Sequence, residues 1–223
     1  MTTLVIAPHA DDELLGCGGT LLRRQSEGQE TAWILVTETH GSVGPDSATR
    51  DREIESVRSG LGIPPERLVR LGHATTTLDV IPTAELVGGL ASAISRIAPS
   101  EVLIPHSGDV HSDHRVVAEA AVAAAKWFRQ NSIRRILAYE TLSETGLGSG
   151  REFRPSVYVD IAPWLEQKLE LTRNYTSEFG EFPFPRSEKS VRSLAAFRGS
   201  NSGFAAAEAF QLIAAREPLN QPL

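Results

Sequence analysis

The sequence predicts a single α/β domain built on a mainly parallel sheet, with helices on both faces and ligands bound at the C-terminal rim of the strands. Three observations predict it. Short apolar or β-branched runs alternate with helix-length amphipathic segments over most of the 223 residues, the pattern of parallel strands joined by helical crossovers. No proline- or glycine-rich break is large enough to mark a domain boundary. The first polar cluster falls directly after an apolar run and the second after the loop that follows another, where open α/β sheets bind ligands.

In chain order, Leu4–Ala7 is a strand closed by Pro8, which has no N–H for a ladder. Gly16–Ser26 is a helix carrying Leu21 and Leu22 inward, and Thr31–Thr37 is a buried strand. Ser47–Leu61 has helical spacing at Ile54, Val57 and Leu61, with Gly62 as its stop. Arg67–Leu71 is a strand, Ala84–Ile97 a helix ended by Pro99, and Glu101–Ile104 a strand. Ser112–Phe128 is a long alanine-rich helix. Ile136–Tyr139 and Val157–Ile161 complete the strands, and Trp164–Tyr175 is the last helix. Ser143–Arg154 reads as a mobile Gly/Ser-rich loop and Glu178–Lys189 as an irregular aromatic and proline-rich segment. The Ser143–Arg154 loop and the aromatic stretch Phe179–Phe184 are expected to line or cover a pocket.

Composition narrows the function. A net charge of −6 argues against broad nucleic-acid binding. One cysteine, Cys17, excludes an internal disulfide and suits a reducing, cytoplasmic location. No basic, apolar leader opens the chain, and no apolar run is long enough to span a bilayer. Gly16-Cys17-Gly18-Gly19 lacks the full dinucleotide fingerprint, and the acids before it would repel a pyrophosphate. His40, His73 and His106 read as ordinary loop histidines.

Two clusters carry chemistry: Pro8-His9-Ala10-Asp11-Asp12-Glu13 after the first strand, and His111-Ser112-Asp113-His114 after the fourth. The acids of the first would suit a helix N-terminus, but capping leaves His9 unexplained. His9, Asp12 and His114 together make a donor set for Zn²⁺. Three protein ligands leave a position for water, which is the catalytic arrangement.

The segment APHADDELLGCGGTL resembles the AHPDDE signature of the N-acetylglucosaminylphosphatidylinositol de-N-acetylases and their LmbE-like bacterial members. PHSGDVHSDHR resembles the second motif of that family. The likeness continues through Arg50-Asp51-Arg52-Glu53 with Leu61-Gly62, through Val157–Ile161 with Lys168, and through Arg198-Gly199 with Ala207-Glu208-Ala209-Phe210. One departure is His9-Ala10 where the family has His-Pro, with the proline displaced to Pro8. The resemblance implies a Rossmann-like fold and zinc-dependent removal of an N-acetyl group from a small amino-sugar substrate, with assembly into homo-oligomers common. It implies His9, Asp12 and His114 as metal ligands and Asp11 as general base. His111 would stabilise the oxyanion or act as acid, with Asp113 as its charged partner, keeping it cationic. Arg50 would contact substrate; a helix-surface pair with Glu53 is the other reading. Asp79 falls where relatives carry a sugar-contacting acid, on a thin local match. Asp109 either braces the second motif or caps a loop. Two rivals remain: cleavage of another amide, as in a thiol conjugate of a glucosaminyl compound, and a binding module with a purely structural metal.

Overall fold

A computed structural model gives the architecture and describes residues 1–39, 45–147 and 151–217. His40 and part of the Gly/Ser-rich loop lie outside them. The strands are β1 (Thr2–Ala7), β2 (Glu30–Glu38), β3 (Leu68–Ala74), β4 (Glu101–Pro105), β5 (Arg135–Tyr139), β6 (Val157–Asp160) and β7 (Ala207–Ala215). The helices are α1 (Asp12–Ser26), α2 (Ser47–Gly60), α3 (Thr83–Ile97), α4 (Ser112–Ala124), α5 (Leu165–Thr172) and α6 (Glu188–Ser200).

The strands form one sheet in the order β3-β2-β1-β4-β5-β7-β6. All pairings are parallel except those of β7, which runs antiparallel to β5 and to β6. Alternation along each strand divides the core. Val5 and Ala7 of β1 pack on one face with Leu14, Leu21, Val57 and Leu171. Leu4 and Ile6 pack on the other with Leu86, Leu90, Val117 and Ala121. Thus α1, α2 and α5 cover one face, and α3 and α4 the other.

Most expected elements are present with ends shifted by a few residues. The alanine-rich helix is shorter than expected, ending at Ala124 rather than Phe128, and Trp127 and Phe128 are exposed. Two elements were not anticipated, α6 and β7. The first helix begins four residues earlier than its spacing suggests, because it is two helices joined at a kink. Cys17 has φ −147° and ψ 16°. Gly16 and Gly19 permit the close approach there: a Cβ on either would lie 2.2 Å from the Tyr139 ring or 2.7 Å from Ile161.

The chain crosses from β1 outward to β2 and β3, then returns to β4 beside β1. The exits of β1 and β4 therefore lie side by side at the switch in strand order, where an α/β sheet opens a crevice.

Candidate metal centre and active site

His9 leaves the end of β1, and Asp12 opens α1. Asp12 Oδ2 accepts the His9 backbone N–H at 2.9 Å, which turns both side chains toward the rim. His114, in the first turn of α4, comes from the exit of β4. Three donor atoms converge. His9 Nδ1 and His114 Nε2 lie 3.3 Å and 3.2 Å from Asp12 Oδ2, and 3.3 Å from each other. A tetrahedral zinc ion with bonds of about 2.0–2.1 Å keeps its ligands about 3.3–3.4 Å apart. The donor triangle therefore fits that ion in spacing and in chemistry.

The second nitrogen of each imidazole meets a buried carboxylate. His9 Nε2 lies 3.1 Å from Asp113 Oδ2, and His114 Nδ1 lies 2.9 Å from Asp109 Oδ2. Such contacts fix ring orientation and tautomer in metal sites. Asp113 also accepts the backbone N–H groups of Thr76 at 2.7 Å and Leu78 at 3.2 Å. Asp109 Oδ1 accepts the Thr145 hydroxyl at 2.7 Å. Of the two readings of Asp109, bracing the second motif is the one realised.

The charges follow from this geometry. Burial pulls both imidazoles toward the neutral form, but carboxylates outweigh it. Hydrogen bonds to Asp113 and Asp12 hold His9 at about 9, and Asp12 and Asp109 hold His114 at about 10. Burial would raise Asp12, but the His114 and His9 imidazoles hold it well below the usual carboxylate range. Asp11, buried beside Asp12, is pushed upward by burial and by that neighbouring charge, against the pull of Arg186.

Asp11 has φ 142°, a backbone conformation that costs an L residue on the order of 1–3 kcal/mol. Its side chain lines a cavity of about 310 Å³ together with His9, Asp12, His111 and His114. Arg186 Nη1 stands 3.8 Å from Asp11 Oδ2.

The expected partnership of Asp113 with His111 is not what the structure contains. The Asp113 carboxylate is spent on His9, and His111 Nδ1 instead accepts the Asp113 backbone N–H at 3.1 Å. Burial, then the charges of His9 and His114, lower the His111 pKa rather than raise it. A neutral His111 whose Nδ1 is an acceptor carries its proton on Nε2. Its ring centroid lies 4.5 Å from that of His9.

Arg50 lines the cavity and also makes the helix pair, 3.1 Å from Glu53. Glu178 adds a second carboxylate at 2.6 Å. Asp79 is exposed on the single turn Leu78–Val80 and lies outside the cavity lining, to which that loop contributes Thr75. The aromatic stretch Phe179–Phe184, expected at the pocket, is not part of the cavity lining, and Phe182 and Phe184 are exposed; the flanking residues Glu178 and Arg186 line the cavity instead. The Ser143–Arg154 loop contributes Glu144. Neither Glu178 nor Arg186 belongs to a motif. The one signal for them was their place in a long irregular segment over a rigid sheet.

Comparison with known proteins shows the fold and the family of the chain. The diacetylchitobiose deacetylase of Thermococcus kodakarensis is 26% identical over 221 residues, covering 94% of this chain and 82% of that protein. The conserved protein TT1542 of Thermus thermophilus superposes with a TM-score of 0.78 at 27% identity, covering 99% of this chain and 98% of its own. The 4-carboxy-2-hydroxymuconate hydratase GalB of Pseudomonas putida KT2440 shares the fold, with a TM-score of 0.70 at 17% identity and coverage of 99% of both chains. The family profile described as PIG-L: GlcNAc-PI de-N-acetylase matches residues 4–125, a span that holds both donor clusters, and the chain belongs to that family.

Proposed function

We propose that the protein is a zinc-dependent hydrolase that removes the N-acetyl group from an N-acetylated amino sugar or sugar conjugate, in the cytoplasm. The observation that carries this reading is the triangle of His9, Asp12 and His114 opening on a cavity beside the carboxylate of Asp11. A shared fold does not choose an activity, since a hydratase has this fold too. The donor set and the likeness to a sugar deacetylase along 94% of the chain favour amide hydrolysis.

In this reading His9, Asp12 and His114 hold the ion. When bound, zinc supplies a Lewis acid for the amide carbonyl and lowers the pKa of water. Asp11 takes the proton of the attacking water and returns it to the leaving amine. His111, through Nε2–H, donates a hydrogen bond to the carbonyl oxygen as negative charge develops there. Asp113 and Asp109 act through His9 and His114 and are positioning residues. Arg50 presents a guanidinium to substrate hydroxyls, its charge balanced by Glu53 and Glu178. Exposed Asp79 is assigned no contact.

The test is metal analysis followed by a screen of acetylated amino sugars that detects free amine and acetate. The zinc-loaded protein is expected to release both. Asp11→Asn is expected to keep its zinc and lose about 10²- to 10⁴-fold in turnover. A zinc-loaded protein inert across the panel, or an Asp11→Asn variant of near-normal rate, overturns the reading. Amine release from a thiol conjugate without acetate would select the other amide instead.

A further inference from the structure

Four consecutive residues just after α5, Tyr175-Thr176-Ser177-Glu178, reach two parts of the site at once. The Tyr175 hydroxyl donates to Glu13 Oε1 at 2.8 Å. The other oxygen of Glu13 accepts the Asp11 backbone N–H at 3.0 Å. Both Glu13 and Tyr175 are fully buried. On the other side, Thr176 donates its N–H at 3.3 Å and its hydroxyl at 3.1 Å to Glu53 Oε1, and Glu53 pairs with Arg50. Arg50 Nη2 then meets Ser177 Oγ at 3.2 Å and Glu178 Oε1 at 2.6 Å, with its guanidinium 5.6 Å over the Tyr175 ring. The four residues lie outside the span matched by the family profile.

We propose that Tyr175–Glu178 is a positioning bracket, with one arm that holds Asp11 through Glu13 and a second that holds Arg50 through Glu53 and Glu178. What is positioned, a base and a substrate-binding cation, rests on the deacetylase reading above; the bracket itself rests on the contacts. Two physical arguments support it. A residue at φ 142° keeps that conformation only where its surroundings over-determine it, and the Asp11 N–H is the group that swings if the backbone relaxes. A buried carboxyl group is costly unless its polar atoms are used, and the two oxygens of Glu13 are used on the Asp11 backbone and on Tyr175. The arms differ in kinetic consequence. Releasing Asp11 moves the base away from the reacting atoms and lowers kcat. Releasing Arg50 weakens substrate binding and raises KM.

The experiment uses the full-length zinc-loaded protein. Glu13→Ala is expected to keep its metal and lose about 10- to 100-fold in kcat, the scale of a small misplacement, with KM within about two-fold. Glu13→Gln, whose amide can still accept from Asp11 and donate to Tyr175, recovers most of that loss. Glu178→Ala raises KM by about ten-fold, on the scale of one charged hydrogen bond, with a smaller change in kcat. Asp11 amide hydrogen exchange speeds up in Glu13→Ala and in Tyr175→Phe. Unchanged kcat in Glu13→Ala, a Glu13→Gln as slow as Glu13→Ala, or unaltered Asp11 exchange overturns the first arm, and an unchanged KM in Glu178→Ala overturns the second. Should Glu13→Ala not fold, Tyr175→Phe, which removes one hydroxyl, decides by the same rate and exchange. If the wild-type protein turns over no acetylated sugar, the deacetylase reading fails, while Asp11 exchange still decides the bracket.

Discussion

Asp109 is completely buried, and its two oxygens are divided between the His114 ring and the Thr145 hydroxyl. It touches no donor atom of the metal triangle, yet it fixes which nitrogen of His114 faces that triangle. Asp109→Ala should therefore keep the ligand set and lower zinc affinity by about 10- to 100-fold. Competition titration with a chromophoric chelator would measure this, and an unchanged affinity would show that Asp109 merely caps its loop. The three proposed ligands were legible in the sequence because His9 and Asp12 stand together just after the first strand, and His114 stands in a second His/Asp cluster after the fourth. Their partners were harder to read. Asp113 is two residues from His111 along the chain, which suggested that pairing, but the helix turn carries its carboxylate to His9, 104 positions away. Arg186 and Glu178 were not legible as site residues, since only the folding-back of an irregular segment brings them to the cavity.

The kinked first helix shows what an element requires beyond its own periodicity. After the break at Cys17, the N–H groups of Gly19 and Thr20 begin a new helical turn and need acceptors. Glu208 of β7 supplies both oxygens, at 2.8 Å and 2.7 Å. Lys168 of α5 donates to Glu208 at 2.7 Å and to Leu15 O, inside the kink, at 3.0 Å. Two elements far along the chain, α5 and β7, thus lock the helix that carries Asp12. Removing one charge of a buried pair is far worse than removing both. Lys168→Met is expected to destabilise the protein by about 3–5 kcal/mol in denaturant unfolding, and adding Glu208→Gln to recover part of that loss. Equal stabilities of the single variant and wild type would mean that the pair is solvated. The sequence marked Lys168 and Glu208 by resemblance alone, without a reason for either. It concealed the neighbouring elements for physical reasons. α6 buries only Val191, Ala195 and Gly199, a stripe too small and too weakly apolar to announce a helix. β7 is buried on both faces over Ala207–Phe210 and exposed beyond Gln211, so it has no steady period of two.

Over the whole molecule, alternation of strands and helices made the parallel sheet legible, and the antiparallel β7 was the exception because local pattern does not encode strand direction. The same topology explains why an ion at this site should matter to stability. His9 and His114 are 105 positions apart and leave adjacent strands on crossovers that run to opposite halves of the sheet. An ion gripped by both exists only in the folded chain, so it stabilises that state by mass action, about 2.7 kcal/mol at a hundred times Kd. For a domain of this size, that corresponds to an increase in Tm of about 5–10 °C. Scanning calorimetry with zinc and after chelation should reveal the difference, and Asp12→Ala should abolish it. A variant lacking Asp12 whose Tm still rises equally with zinc would put the ion elsewhere. The Tm comparison needs no substrate, so it tests the metal centre independently of what the enzyme hydrolyses.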